Sequence, residues 1–390
     1  MPRSVDMPDR TRPMRILLIT DQAPDSNHSA IEGIFNRRLK EYAEVDVIYF
    51  DRSIEKPKVA EGKLVLPYKY KRRRAMNGIG ALTDLATYDV VIVRNFFSVL
   101  KQVQSRSKDY SYRVGFWESF PHSFRRVYES RTTGRAVLRK TVEYAIKRRL
   151  EQRLIERCDF YLPITETYKA RFHPDLRIPC HPLPMGVDFS RIDISPLPDV
   201  SDGKKRFIYV GAVDRLRRLD LVVSAFSRVQ GEFVFDLYTP SRNELVEEIK
   251  LRAATDARIR VQPARPRDEL LCCMREYDVG VGLIPETPLY EVSSPTKTLE
   301  YYAVGIPAII NRLPEYTLLF DGHSAFPCAL TEQDIQATVT RILQMSRAQL
   351  RKVGEAGRRI VLASRDYAVL ALELYRFLDQ QRGVPADVRR

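Results

Sequence analysis

The sequence predicts an α/β protein built from two doubly wound domains that face a central cleft. Three observations lead there. The chain has 390 residues, more than one ordinary core takes, so two domains are expected. Short apolar runs alternate with amphipathic or charged stretches, the order that produces parallel sheets covered on both faces. The alternation breaks once, between Ile178 and Lys205, in a stretch rich in Pro, Asp and Ser that reads as an interdomain connection.

Taken in order, residues 1–13 lack the apolar core of a signal peptide and read as a flexible extension. RILLIT (15–20), VDVIYF (45–50), DVVIVRN (89–95), YRVGFW (112–117) and DFYLPI (159–164) read as the buried strands of a first domain, 14–185. A linker follows over 186–205. RFIYVGA (206–212), FVFDLYT (233–239), RIRVQPA (258–264), DVGVGLIP (278–285) and IPAIIN (306–311) read as the strands of a second domain, 206–364. The last apolar helical pattern, YAVLALELYRFLDQ (367–380), has two placements. It packs on its own domain, or it crosses back so that a helix over 365–382 completes the first.

Hydrophobic residues make up 44% and charged residues 29%, a globular rather than disordered balance. The formal net charge of +14 favours an anionic partner: a nucleotide, a phospholipid surface or a nucleic acid. Neither a zinc-finger spacing nor an RNP-like aromatic motif supports nucleic acid. The five Cys are odd in number and lack C-x-x-C spacing, which suits a reduced, cytoplasmic compartment. No apolar run approaches a bilayer span.

The segment SPTKTLEYYAVGIPAIIN (294–311) carries most of the chemistry. Ser294 is a cap residue, Pro295 suits the first helical position, and Thr296 and Lys297 follow at a helix start whose amides suit a phosphate. Glu300 lies one turn beyond Lys297, and its carboxylate suits a vicinal diol such as a ribose. A plain capped helix with a Lys–Glu surface pair explains the same residues. Position favours a site, because ligands of open α/β sheets bind at the carboxyl ends of strands. YVGAVDRLRRLDLVVSAF (209–226) points at the same ligand: Gly211 allows close backbone approach to an anion, and Arg215, Arg217 and Arg218 offer guanidinium groups. Alone, this second stretch equally describes a solvated basic loop.

Together these stretches resemble the donor domain of GT-B glycosyltransferases of the retaining family 4 type. MGVD (185–188) and QRLIERCDFYLPITETY (152–168), closing the first domain, are similar to segments of that family. The resemblance implies two Rossmann-like domains and a reaction that moves a sugar from a nucleoside-diphosphate donor, UDP- or GDP-linked, to a hydroxyl. It places Gly211 at the donor phosphates, Arg217 where a phosphate-binding Lys usually stands, and Ser294, Thr296 and Lys297 near the diphosphate and sugar. It places Glu300 at the ribose and the backbone near Ala264 and Arg265 at the base. Three positions depart from the family pattern: Ala212 replaces an Arg, Val292 replaces the first Glu of E-x7-E, and Arg218 replaces a Gly.

On the acceptor side the family often has a His-Asp pair where this chain has Trp117 and Glu118. Glu118 is expected to orient the acceptor hydroxyl or take its proton, with His122 as competitor. Trp117 either packs in the core or stacks on a sugar, and Gly33 lies in a loop expected to line the acceptor site. Catalytic roles fall to Glu118, Arg217 and Lys297. No D-x-D triplet and no His spacing suggests a metal, so no cofactor is expected. The acceptor is expected to be a glycan or a lipid-linked glycan of cell-surface polysaccharide or glycolipid synthesis. YKYKRRR (68–74) and the basic helical pattern 135–158 read either as a contact with an anionic membrane or as solvated faces balanced by Glu143, Glu151 and Glu156. A non-catalytic nucleotide-sugar or glycan-binding subunit on the same scaffold is the alternative.

Overall fold

The computed structural model describes residues 12–382 except 27, 61, 108–110, 134–136 and 199–202, so most of the 1–13 extension lies outside the described residues. The chain forms two compact units. One runs to Met185 and resumes at Tyr367; the other is Gly186–Asp366.

The first unit contains β1 (Met14–Ile19), β2 (Ala43–Asp51), β3 (Lys58–Ala60), β4 (Lys63–Pro67), α1 (Ala75–Gly80), β5 (Val90–Arg94), α2 (Phe97–Arg106), β6 (Arg113–Glu118), α3 (His122–Thr133), α4 (Val137–Ile155), β7 (Phe160–Pro163) and α5 (Glu166–Phe172). The sheet order is β3-β4-β2-β1-β5-β6-β7, parallel except for the β3–β4 pair. Its central strands carry unbroken apolar runs, Ile16–Ile19 in β1 and Val90–Val93 in β5, because both faces are covered. Ile16 and Leu18 enter one core layer, Leu17 and Ile19 the other. The β3–β4 hairpin was not expected. Its edge strand β3 is three residues long, with Lys58 and Val59 exposed, and turns at Gly62 with φ 72° into β4, whose apolar run Leu64–Leu66 is too short to stand out beside the longer strands.

The second unit contains β8 (Lys205–Val210), α6 (Leu219–Ser227), β9 (Phe233–Thr239), α7 (Glu244–Ala254), β10 (Ile259–Pro263), α8 (Arg267–Met274), β11 (Val279–Val281), α9 (Thr296–Ala303), β12 (Ala308–Ile310), α10 (Pro314–Leu319), β13 (Phe326–Pro327), α11 (Glu332–Gln344) and α12 (Arg347–Arg365). Its order, β10-β9-β8-β11-β12-β13, is parallel throughout. In strand-rank terms this is 3-2-1-4-5-6, so the winding reverses between β8 and β11.

The last helix, α13 (Tyr367–Arg382), belongs to the first unit. Tyr367, Leu370, Ala371, Leu374 and Leu378 are buried in the same layer as Ile16, Leu18 and Phe35. The stretch read as a linker is fastened along the second unit. Arg275 donates to the carbonyls of Asp193, Ser195 and Pro196, and Arg351 to those of Leu197 and Pro198.

Candidate functional site

In a doubly wound sheet the ligand crevice lies beyond the carboxyl ends of the strands, where the winding reverses. In the second unit that point is flanked by the turn after β8 and the start of α9. Gly211 opens the turn at φ 137°, a conformation other residues rarely adopt, and its N–H donates to the Tyr238 carbonyl at 3.0 Å. Tyr209 Oη closes the turn by donating to the Ala212 carbonyl at 2.8 Å. Asp214 accepts from the Arg217 amide at 2.9 Å and also holds the Arg217 guanidinium. Arg218 then enters α6 at φ 53°, so the position where the family pattern has Gly keeps a left-handed backbone while carrying Arg.

Helix α9 is pressed onto β11. A Cβ at Gly280 would stand 2.2 Å from the Tyr301 ring, so only glycine admits this approach. Tyr301 Oη accepts from the Val210 amide at 3.0 Å, tying α9 to the end of β8. This brings Lys297 Nζ to 4.0 Å from the centre of the Tyr209 ring. Burial, reinforced by the Arg217 charge and opposed by Asp214, lowers the Lys297 pKa to about 7. The helix starts one residue later than expected. Pro295 is its N-cap, and no side chain caps the first turn. Ser294 instead donates to Glu315 Oε1 at 3.1 Å, and Arg365 holds the same carboxylate at 3.0 Å. Thr296 is the first helical residue. The start of α9 therefore offers backbone amides beside Lys297 and Arg217, an arrangement suited to a diphosphate.

Glu300 is buried on α9 and accepts from Arg267 Nε on α8 at 2.9 Å. Burial raises its pKa, and Arg267 opposes that. Ala264, beyond β10, lines an open depression of about 460 Å³ with Thr239, Pro240, Ser241 and Gln262. Arg265 lies 5.4 Å from the Tyr238 ring centre. Arg215 stands apart from the Lys297 group: its side chain is 74% exposed and approaches Glu248 on α7 at 3.5 Å.

The first unit differs more from expectation. Trp117 is fully buried, 5.5 Å from the Phe35 ring, so it is core and not a surface for a sugar. Side chains alternate along a strand, so the next residue, Glu118, enters the opposite layer. There it accepts from Tyr161 Oη at 2.8 Å and meets His173 Nε2 at 2.9 Å. Burial alone would raise the Glu118 pKa, yet His173, Tyr161 and Tyr168 bring it below the ordinary value. A carboxylate so enclosed holds β6, β7 and α5 together rather than receiving an acceptor proton. Gly33 is also a packing residue, since a Cβ there would stand 2.0 Å from the Tyr367 ring of α13. His122 begins α3; partial burial of its imidazole holds its pKa below the usual value, Asp21 opposing and Arg94 assisting.

A group not expected from the sequence sits at the corresponding reversal of the first unit, between β1 and β5. Arg94, 3% exposed, pairs with Asp21 and lies 2.9 Å from His28 Nε2. Asn95, at φ 56°, donates to Asp21 Oδ2 at 3.2 Å and accepts from the Ser119 amide at 3.0 Å. Left-handed backbone outside glycine concentrates at functional positions. The available signal was Arg94-Asn95 directly after the apolar run VVIV. Among the described residues, no group of three or more His, Cys, Asp or Glu side chains is gathered to hold a metal.

Comparisons with known proteins agree with this architecture. A family model described as glycosyl transferase-like matches residues 221–375. Comparison with curated proteins gives no match. Sucrose-phosphate synthase from Thermosynechococcus elongatus superposes with a TM-score of 0.68 at 14% identity, covering 94% of this chain and 98% of that one. A UDP-forming trehalose-phosphate synthase from Burkholderia xenovorans, solved with glucose-6-phosphate, gives 0.66 at 13% identity, covering 94% and 100%. A structure described as trehalose-6-phosphate from E. coli bound with UDP-2-fluoro glucose gives 0.64 at 14%, covering 95% and 99%. The fold is that of the GT-B glycosyltransferases, two parallel-sheet Rossmann-like units, and the second unit carries most of the glycosyl transferase-like match.

Proposed function

We propose that the chain is a retaining, metal-independent glycosyltransferase of the family 4 type. It moves a sugar from a UDP- or GDP-linked donor to a hydroxyl of a glycan or lipid-linked acceptor in cell-surface polysaccharide or glycolipid synthesis. The observation that best supports this reading is the meeting of Lys297, Arg217 and the uncapped start of α9 where the second sheet reverses.

The donor diphosphate lies against those groups, the ribose hydroxyls on Glu300, and the base near Ala264. In the reaction the bond from the sugar C1 to the β-phosphate oxygen breaks. A bond from C1 to the acceptor oxygen forms on the same face, and the acceptor proton leaves with the departing phosphate. Negative charge grows on that phosphate, and the Lys297 ammonium and Arg217 guanidinium neutralise it as it forms. Asp214 keeps Arg217 in place. Asp21, Asn95, Ser119 and His122 of the first unit are the acceptor-side groups. The enzyme works at the cytoplasmic face of the membrane, where lipid-linked acceptors are reached.

A second reading, a nucleotide-sugar-binding subunit without turnover, has one observation in its favour. Val292, at the position of the first Glu of E-x7-E, is 1% exposed and apolar. The purified chain incubated with UDP, GDP, ADP and their sugars separates the two: a ligand raises the melting temperature under both readings, and product forms only under the first. Arg217→Ala and Glu300→Ala are each expected to remove most donor binding while leaving the fold intact. Unchanged affinity in both variants overturns the site assignment.

A further inference from the structure

Helix α4 has an outer face that the transfer reaction leaves unexplained. Its inner side buries Glu151 and Ile155. Its outer side carries Leu138, Val142, Ile146 and Leu150, exposed by 80%, 52%, 59% and 54%. Singly exposed apolar residues are ordinary, but these four recur at every fourth position and form one row along the helix. Arg139, Arg149 and Arg153 interleave with the row, and Lys147 borders it. On that side Glu143 is paired with Arg139 at 3.1 Å. The second acid of the helix, Glu151, faces inward and accepts from Ser123 Oγ at 2.7 Å. Among the described ion pairs none takes Arg149 or Arg153. α2 packs against both α4 and the turn Tyr68–Arg72, so the exposed Arg72, Arg73 and Arg74 belong to the same helical layer.

We infer that this face docks on an anionic lipid bilayer. The inference rests on the membrane part of the proposed function and not on its transfer chemistry. The aliphatic row enters the boundary between headgroups and acyl chains with α4 lying flat. The arginine stems follow the apolar surface and carry their guanidinium groups back to the lipid phosphates. Charge complementarity selects this occupant over a second copy of the chain. Symmetric pairing of the face would set the arginines of the two copies against each other. Four such side chains also offer only on the order of 400 Å², about half of what each partner buries in a stable complex.

The test is flotation of the full chain with phosphatidylcholine vesicles, with and without about 30% phosphatidylglycerol. The chain is expected to float with the anionic vesicles and not with the neutral ones. Val142→Asp with Ile146→Asp is expected to lower the partition coefficient at least about tenfold, and Arg149→Glu with Arg153→Glu by a similar factor. Leu150→Trp supplies a second readout. Its emission is expected to shift to the blue on anionic vesicles, since Trp117 is buried and does not respond. All these positions lie on the exposed side of α4, and a cooperative thermal unfolding transition in each variant at the temperature of the unchanged chain shows that the fold survives. Three results overturn the inference: absence of flotation at low salt, flotation of the Val142→Asp/Ile146→Asp variant equal to that of the unchanged chain, or a dimer broken by Ile146→Asp without vesicle binding. Flotation with no nucleotide response removes the transfer reading and leaves the docking surface standing.

Discussion

A lysine that loses its proton near neutrality makes phosphate binding depend on pH in a range where the phosphate is already fully ionised. With the Lys297 pKa lowered to about 7 by burial and by Arg217, the unliganded protein carries a mostly neutral amine at pH 8. A diphosphate beside it requires the ammonium, so binding takes up a proton. The apparent dissociation constant then scales with one plus the ratio of neutral to charged amine. It rises about ninefold from pH 8 to pH 9, close to the limit of about 1.4 kcal/mol per pH unit. Terminal phosphates ionise near about pH 6, so the nucleotide contributes little to that slope. Isothermal titration in buffers of different ionisation enthalpy is expected to record about 0.9 proton taken up per nucleotide at pH 8. Lys297→Met is expected to bind about 10- to 100-fold more weakly and with no such slope, since it loses one charge-assisted contact. A flat profile with no proton uptake in the unchanged chain refutes the placement of Lys297 on the phosphate.

Other substitutions test the fold and the reassigned residues. Arg218→Gly relieves the left-handed backbone at φ 53° and is expected to stabilise the chain by about 1 kcal/mol in urea unfolding. Gly33→Ala forces a methyl into the Tyr367 ring and is expected to cost about 1–3 kcal/mol, read as a lower melting temperature. Glu118 has a lowered pKa in the folded state, so its ionised form stabilises the protein above its unfolded value. That contribution falls away as the pH drops through the folded value. Glu118→Gln is therefore expected to flatten the acid limb of the stability–pH curve and to leave nucleotide affinity unchanged. A loss of donor affinity in that variant contradicts its structural assignment.

The strands of both sheets were legible because burial on two faces makes them apolar at successive positions, as in Ile16 to Ile19 and Val90 to Val93. The edge hairpin β3–β4 was not, since β3 has only three residues, two of them exposed, and the apolar run of β4 is confined to Leu64–Leu66. The groups of the second unit were legible because Gly211, Arg217, Lys297 and Glu300 lie within two short stretches, each keeping local order on folding. The first unit was read from a two-residue analogy at Trp117 and Glu118, and strand alternation sends those two side chains into opposite layers. Asp21, Arg94, Asn95 and Ser119 come from the carboxyl ends of three separate strands, β1, β5 and β6, with Asp21 and Arg94 73 positions apart. Only the strand order brings them together. Gly33 was read from its loop, but its need for glycine comes from Tyr367, more than three hundred residues away.

The return of α13 to the first unit fixes the order in which a ribosome can deliver a finished protein. The layer holding Ile34, Phe35 and Tyr49 stays uncovered until the final helix has been synthesised, after the whole of Gly186–Asp366. The first unit must wait as an unfinished intermediate while its neighbour folds. An expression fragment stopping at Met185 inherits that bare apolar layer and calls for the last helix to be supplied, joined in cis or added as a peptide.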